Sequence, residues 1–316
     1  MKRNPVILST VVAVLAAIID LQGGAGAAAV SPHNQPISAT MRGHTVDVFV
    51  AGKLFTSYLF DPNWKYPYFY PVIGPGSGKS VTTRRTEPWP HHSSLFFGCD
   101  RVNGGNYWQG PLRLGQIHPL RTCVRKEANE VVVIEQQCRW DRTGAPSPFE
   151  DSRRIRIWAP SSQLRMIEFE ITLTALTNVV IYRSNHSLFA ARMAPDLAVN
   201  GGGVLVNAQG GQGEKATWGK RSPWMDSYGK RDGIIEGVAI LDHPKNPWYP
   251  SPWFTRDYGF FSPTPMNWLP QGRLLFRKSQ KLHLRYLVVV HEGKLQPKNL
   301  DSLLQSWAKG TLIKKP

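Results

Sequence analysis

Nine histidines are spread through 316 residues, and several stand beside the groups that imidazole chemistry needs. Trp89-Pro90-His91-His92-Ser93-Ser94 places two imidazoles side by side behind a proline, and Asp100-Arg101-Val102-Asn103 follows soon after. An imidazole gives or takes a proton near neutral pH, or binds a metal through a neutral nitrogen. Neighbouring residues of a strand face opposite sides, so both rings enter one cleft only if the backbone kinks between them. Asp242-His243 puts a carboxylate next to an imidazole, where it can orient the ring or raise its basicity. Arg256-Asp257 offers a cation for an oxyanion and a carboxylate for proton transfer, or else an internal ion pair that holds its loop. His118 before Pro119, and His186 in Asn185-His186-Ser187, stand singly in turn-rich sequence. Asn185-His186-Ser187 is also a glycosylation sequon. Each histidine has a plain alternative as a hydrogen-bonded structural residue.

The motifs of several enzyme classes are missing. There is no His-Glu-x-x-His and no Gly-x-Ser-x-Gly. Gly74-x-Gly76-x-Gly78 before Lys79-Ser80 lacks the phosphate-loop spacing and reads as a turn between strands. Trp89, Trp108, Trp218, Trp224, Trp248, Trp253 and Trp268 lie in or beside loops. A flat aromatic face suits the apolar C–H face of a sugar, while Asp, Asn, Arg and His take its hydroxyls. Core burial is the ordinary alternative for each Trp.

Strand patterns must position these groups. Ile167, Phe169, Ile171 and Leu173 alternate with Glu168, Glu170, Thr172 and Thr174, which predicts a half-buried strand. Similar runs are 46–50, 54–60, 131–136, 155–158, 179–182, 204–207, 234–241 and 282–290. Twenty-eight Gly and 25 Pro punctuate the intervals too often for long helices. Only 300–307 reads as a helix. Leu300, Leu303, Leu304 and Trp307 share a stripe, Asn299 is a possible N-cap and Gly310 lies just beyond. The expected fold is all-β: a large antiparallel β-sandwich with one C-terminal helix packed on the outside of a sheet.

The first residues read as an export signal. Lys2 and Arg3 precede an apolar run to Ile19, and small residues near Ala27 fit a cleavage site. The expected organisation is a signal peptide over 1–29 and one β-sandwich domain over 30–316. The mature protein is then periplasmic or extracellular, without stable membrane insertion. A net charge of +16 would suggest nucleic acid in a nuclear protein. In an exported one it points to anionic envelope material, acidic glycans or solubility, and no nucleic-acid partner is expected. The basic pairs, Arg84-Arg85 among them, read as solvated surface. Of Cys99, Cys123 and Cys138, one pair can form in an oxidising compartment. Pairing about a turn at Ala128 places Cys123 opposite Val133, so a Cys123–Cys138 bridge is not expected.

Several stretches together carry a resemblance. They are Tyr66-Pro67-Tyr68-Phe69-Tyr70-Pro71, Pro90-His91-His92-x-x-Leu95-x-Phe97-Gly98, and Val102-Asn103-Gly104 with Trp108. To these add Ala239-Ile240-Leu241-Asp242-His243-Pro244-x-Asn246-Pro247 and Arg256-Asp257-Tyr258-Gly259. In order, and over roughly the whole mature chain, they resemble the exported bacterial proteins labelled the PmoA family. The label suggests a methane oxygenase subunit, a multi-helix membrane protein. One apolar segment and many strands argue against that architecture. The resemblance implies an all-β protein that accompanies sugar oxidoreductases and glycan-degrading enzymes, hence a carbohydrate role without an established mechanism. Many members carry an acidic residue after a Lys near position 185. Here Asn185-His186 stands instead, so His186 replaces that acid or the branch has lost its activity.

The expected function is an exported glycoside hydrolase or lyase using His-assisted acid/base chemistry in an aromatic cleft. The candidate catalytic residues are His91, His92, His186, Asp242, His243 and Asp257. The candidate substrate-binding residues are His118, Trp224, Trp253, Arg256 and Asn103. The partner is a carbohydrate, acidic or oxidised forms included. No cofactor is indicated, and a metal bound by some of the histidines stays open. The alternatives are a non-catalytic glycan-binding protein and a metal-dependent β-barrel oxygenase or isomerase.

Overall fold

A computed structural model describes residues 34–313. The expected signal segment, 1–29, lies outside the described residues. Short hairpins dominate, as the turn residues require. β1 (Ile37–Arg42), β2 (Thr45–Val50), β3 (Lys53–Leu59), β4 (Tyr68–Val72) and β5 (Leu95–Cys99) come first. The long strands β6 (Gln116–Glu127), β7 (Val131–Asp141), β8 (Phe149–Trp158) and β9 (Leu164–Ala175) follow. Then come β10 (Val179–Tyr182), β11 (Ser187–Arg192), β12 (Val204–Asn207), the short helix α1 (Gly213–Thr217), β13 (Trp224–Arg231) and β14 (Ile234–Asp242). β15 (Trp253–Arg256), β16 (Phe260–Pro263), β17 (Arg273–Phe276), β18 (Lys281–Glu292) and α2 (Pro297–Ala308) complete the order.

Two eight-stranded sheets result. One runs β1-β2-β3-β4-β5-β11-β16-β15 and the other β12-β13-β14-β18-β9-β8-β7-β6, while β10 and β17 form a separate ribbon. This is the expected antiparallel β-sandwich with a C-terminal helix. The core lies between the sheets. Phe97 of β5 packs on Phe169 of β9, and Phe189 of β11 stacks on Tyr286 of β18 at 5.2 Å. The alternating residues Ile167, Phe169, Ile171 and Leu173 all enter that core, as do Leu282, Leu284, Tyr286, Val288 and Val290. The opposite face of β18 is apolar too. Leu287 and Val289 join Leu300, Leu304 and Trp307 of α2 in a second cluster. Each such side chain contributes about 1.5–3 kcal/mol on burial, enough to dock the helix on the sheet's outer face. Asn299 is not the N-cap. Pro297 occupies the first turn and Gln296 precedes it, because a proline costs no hydrogen bond there.

The β6–β7 turn is centred one residue later than expected. Glu127 pairs with Val131, so Cys123 faces Glu135 and Cys138 faces Pro119. All three cysteines are free thiols, Cys99 and Cys138 buried and Cys123 exposed. Among the described residues no helix is long and apolar enough to cross a membrane.

Strand parity decides what the first sheet shows to the outside. Phe97 and Phe189 point into the sandwich, so Phe96, Ala190 and Arg192 point away from the second sheet. Phe260 is paired with Arg192, and together these residues form a floor on which loops settle.

Candidate functional site

Three chain segments cover that floor. The β4–β5 connection brings Trp89, His91 and His92. The stretch after β5 brings Asp100, Trp108 and Gln109, and the turn before β11 brings His186. β5 and β11 are neighbours in register, Ser187 opposite Cys99, and the Asp100 amide donates to the His186 carbonyl at 2.8 Å. Tyr66 donates its hydroxyl to the His91 carbonyl and stacks on Phe96 at 4.9 Å. These ties hold the His-bearing segments against one another.

The rings then meet. His91 lies 4.4 Å from His92 and 5.5 Å from His186, centroid to centroid, edge-on in both cases. His92 stacks on Phe260 at 4.5 Å, and Trp89 lies over both His92 and Tyr258. Trp108 sits 5.8 Å from His186. Nδ1 of His186 is 3.5 Å from the Gln109 amide nitrogen and 3.8 Å from an Asp100 carboxylate oxygen. Nε2 of His91, Nδ1 of His92 and Nε1 of Trp108 are buried without a hydrogen-bond partner. Most buried polar atoms of a native fold are paired, so three orphans in one place mark a spot where a further partner belongs.

Electrostatics set the protonation. Burial, helped by positive charge at His186 and Arg192, holds His91 down to about 4. Burial, with His91, Arg192 and His186 adding to it, holds His92 down to about 2. Both rings are neutral at physiological pH and able to accept a proton or a hydrogen bond. Beside His91 opens a cleft of about 180 Å³. Trp64, Tyr66, Trp108, Lys65, Arg85 and Gln109 are among its walls. Burial lowers Lys65 to about 8. A shallower groove of about 310 Å³ lies beyond Asp100, lined also by Arg101, Asn106 and Tyr182.

The structure thus brings together His91, His92 and His186 and leaves the other expected residues elsewhere. Asp242 ends β14 opposite Tyr286, on the parity of the core-facing Ile240, and His243 follows it toward α2. Asp242 accepts from the Asn246 side chain and the Ser251 amide, and burial raises it to about 6. His243 packs edge-on against Trp307. Its Nδ1 accepts from the Lys245 amide and its Nε2 meets Arg285 at 2.8 Å. Both residues are fully buried, His243 against Trp307 of α2 and Asp242 in the 246–251 loop that hydrogen-bonds it. Trp224 donates to Asp301 under the same helix, and Trp253 donates to the Ser222 carbonyl inside the fold. Neither offers a face to a ligand. Asn103, at φ 49, spends both ends of its amide on Val180 and Asn178 to pin its turn. Asp257 accepts from the Glu214 amide at the start of α1, and Arg256 pairs with the Glu214 carboxylate. Only their neighbour Tyr258 reaches the histidines. His118 lies on β6 opposite Arg139, on the face away from the buried Ile117.

Sequence reasoning did not single out Lys65, Gln109 or Arg192 and read Arg85 as surface. A cation drawn into an aromatic surround carries no local signature. Only the aromatic-rich Tyr66–Tyr70 stretch gave a pointer. Among the described residues no group of three or more His, Cys, Asp or Glu is arranged to hold a metal ion.

The sequence matches no curated protein. Among solved structures, an α-galactosidase from Lactobacillus brevis aligns at TM-score 0.39 and 11% identity, over 88% of this chain and 42% of that one. The chain spans about two-fifths of the length of that enzyme. A putative aldose 1-epimerase from Klebsiella pneumoniae aligns at TM-score 0.40 and 8% identity, over 87% of each chain. A galactose mutarotase related enzyme from Lactobacillus acidophilus aligns at TM-score 0.33 and 10% identity, over 82% of this chain and all of that one. A family model of unknown function matches residues 45–305, from β2 into α2, and the chain therefore belongs to the DUF6807 family.

Proposed function

We propose that this chain is an exported carbohydrate-active enzyme, a hydrolase or lyase, whose proton transfers run through His91. One observation carries the reading. His91, a neutral imidazole whose buried Nε2 has no partner, lines a cleft together with Trp64 and Lys65, and His186 stands edge-on beside it. The half-buried face of Trp64 suits a sugar ring, and a neutral imidazole can take a proton from it or from water. His186, oriented by Asp100 and Gln109, is the partner that returns a proton to the leaving oxygen. Two-carboxylate hydrolysis finds no pair among the described lining residues, so His-assisted chemistry is the better account. The apolar segment before residue 20 and the loop motifs that resemble those of the PmoA family support export and a carbohydrate role.

The test is product formation on a panel of neutral, uronate-containing and sulfated oligosaccharides, read by mass spectrometry. His91→Ala should abolish turnover while the melting temperature stays within a few degrees. His243→Gln, at the α2 interface, should keep turnover per folded molecule and lower the melting temperature. Full turnover by His91→Ala would overturn the assignment. Binding without product in the wild type, surviving His91→Ala, would make the protein a glycan-binding module.

A further inference from the structure

Arg192 is a charge that the fold buries and leaves unanswered. It is 4% exposed, its Nε and Nη1 have no hydrogen-bond partner, and among the described residues no carboxylate lies within ion-pair distance. Its guanidinium sits 4.4 Å over the Tyr258 ring. Other arginines sunk into this molecule are paired: Arg153 with Asp151, Arg285 with Glu168, Arg231 with Asp196. An unpaired buried cation costs several kcal/mol, and neighbouring rings offset only part of that. Strand parity points Arg192 to the same outer face as Phe96 and Phe260, where His92 is stacked.

The cleft lined by His91, whose ring touches His92, has the same sign, and Arg192 lies behind its lining. Lys65 and Arg85 line it, and its described lining includes no carboxylate. Asp100, the acid of this region, faces His186.

We propose that the site takes a sugar unit bearing an oxyanion, a uronate carboxylate or a sulfate ester, and that Arg192 receives it. This rests on the carbohydrate reading above and adds the substrate class. The planar guanidinium matches two oxygens of such a group, and Lys65 and Arg85 draw it in. Trp64, half-buried in the cleft wall, is left for the ring. The anion also offsets positive charge beside the imidazoles, so its arrival raises the proton affinity of His91 when a base is needed.

Calorimetric titration of the full chain tests this with three probes. They are an oligogalacturonate, its fully methyl-esterified neutral form, and a sulfated galactan oligosaccharide. At least one anionic probe should bind about tenfold or more tightly than the neutral ester, and added salt should narrow the gap. A preference for galacturonate over sulfated galactan, or the reverse, identifies the anion. Arg192→Gln should erase the preference, and Arg192→Lys should keep part of it. Equal wild-type affinity for charged and neutral probes would overturn the anion assignment while leaving the sugar site standing, whether or not the variants fold. A preference that persists in folded Arg192→Gln would overturn it too. No binding by any probe, together with no product from the wider panel, would overturn both readings.

Discussion

His91 and His186, far apart in the chain, stand with their rings 5.5 Å apart and nearly perpendicular. The contact depends on the β5–β11 register and on the Tyr66 hydroxyl that fixes the His91 carbonyl. Their pairing leaves Nε2 of His91 without a partner while Nδ1 of His186 faces Gln109 and Asp100. The site is therefore a product of sheet pairing, and it responds to pH through buried rings.

His92 makes that response measurable in stability. Its folded value of about 2 lies below the ordinary histidine value of 6.5, because burial disfavours the charged ring. As pH falls below 6.5 the unfolded chain takes up a proton that the folded one refuses, so stability is lost on acidification. By pH 4 the loss from this ring is on the order of 3 kcal/mol. In urea titrations at a series of pH values, His92→Gln should show a shallower fall between pH 6.5 and 4 than the wild type. An identical slope would contradict the buried neutral ring.

Glu168 should be the most sensitive polar residue at the helix interface. It is 1% exposed and takes hydrogen bonds from Arg285 at 2.7 Å, Arg156 at 2.6 Å and the Trp307 indole at 2.8 Å. Glu168→Gln leaves Arg156 without its counter-charge and Arg285 with Glu170 alone at 3.9 Å, and should cost about 3–5 kcal/mol. Trp307→Phe removes one hydrogen bond and a little area and should cost nearer 1–2 kcal/mol. Urea midpoints of the two variants give the comparison, and a reversed ranking would refute this account.

The glycine loop before Lys79 folds around an internal carboxylate. Glu236 of β14, fully buried, accepts the amides of Gly76 and Ser77 at 2.8 Å and the Ser77 hydroxyl. A Cβ on Gly74 would fall within 2.6 Å of both Glu236 oxygens. Gly74→Ala should therefore cost about 2–3 kcal/mol, since the carboxylate has no free space to enter. Gly78, at φ 68 with open space around it, should cost only about 1 kcal/mol as Gly78→Ala. Thermal denaturation of both variants checks the difference.

Thiol chemistry should distinguish the cysteines. A thiol reagent should label one of the three cysteines of the native protein quickly and all three after denaturation. Cys99 and Cys138 are shielded, and burial raises both thiols. Cys123→Ser should remove the fast reaction. A native protein without any reactive thiol would show that Cys123 is engaged elsewhere.

The residues by themselves determined the layers. Alternation on β9 and β18 fixes which side chains enter the sandwich, because period two is a local property of a strand. The stripe from Leu300 to Trp307 likewise required a helix against a sheet, which it found on Leu287 and Val289. The same local logic drew attention to His91, His92 and His186 through their turn-rich settings. It could not separate them from Asp242-His243. A carboxylate beside an imidazole looks equally chemical whether it faces a cleft or lies inside the fold, and only tertiary packing buried this pair, Asp242 in the 246–251 loop and His243 against α2. Nor could it see Arg192, Lys65 and Gln109 as parts of one place. Their placement comes from strand order, from the outward parity of β11, and from a guanidinium that has no carboxylate within ion-pair distance among the described residues. Those are long-range relationships that no window of sequence contains.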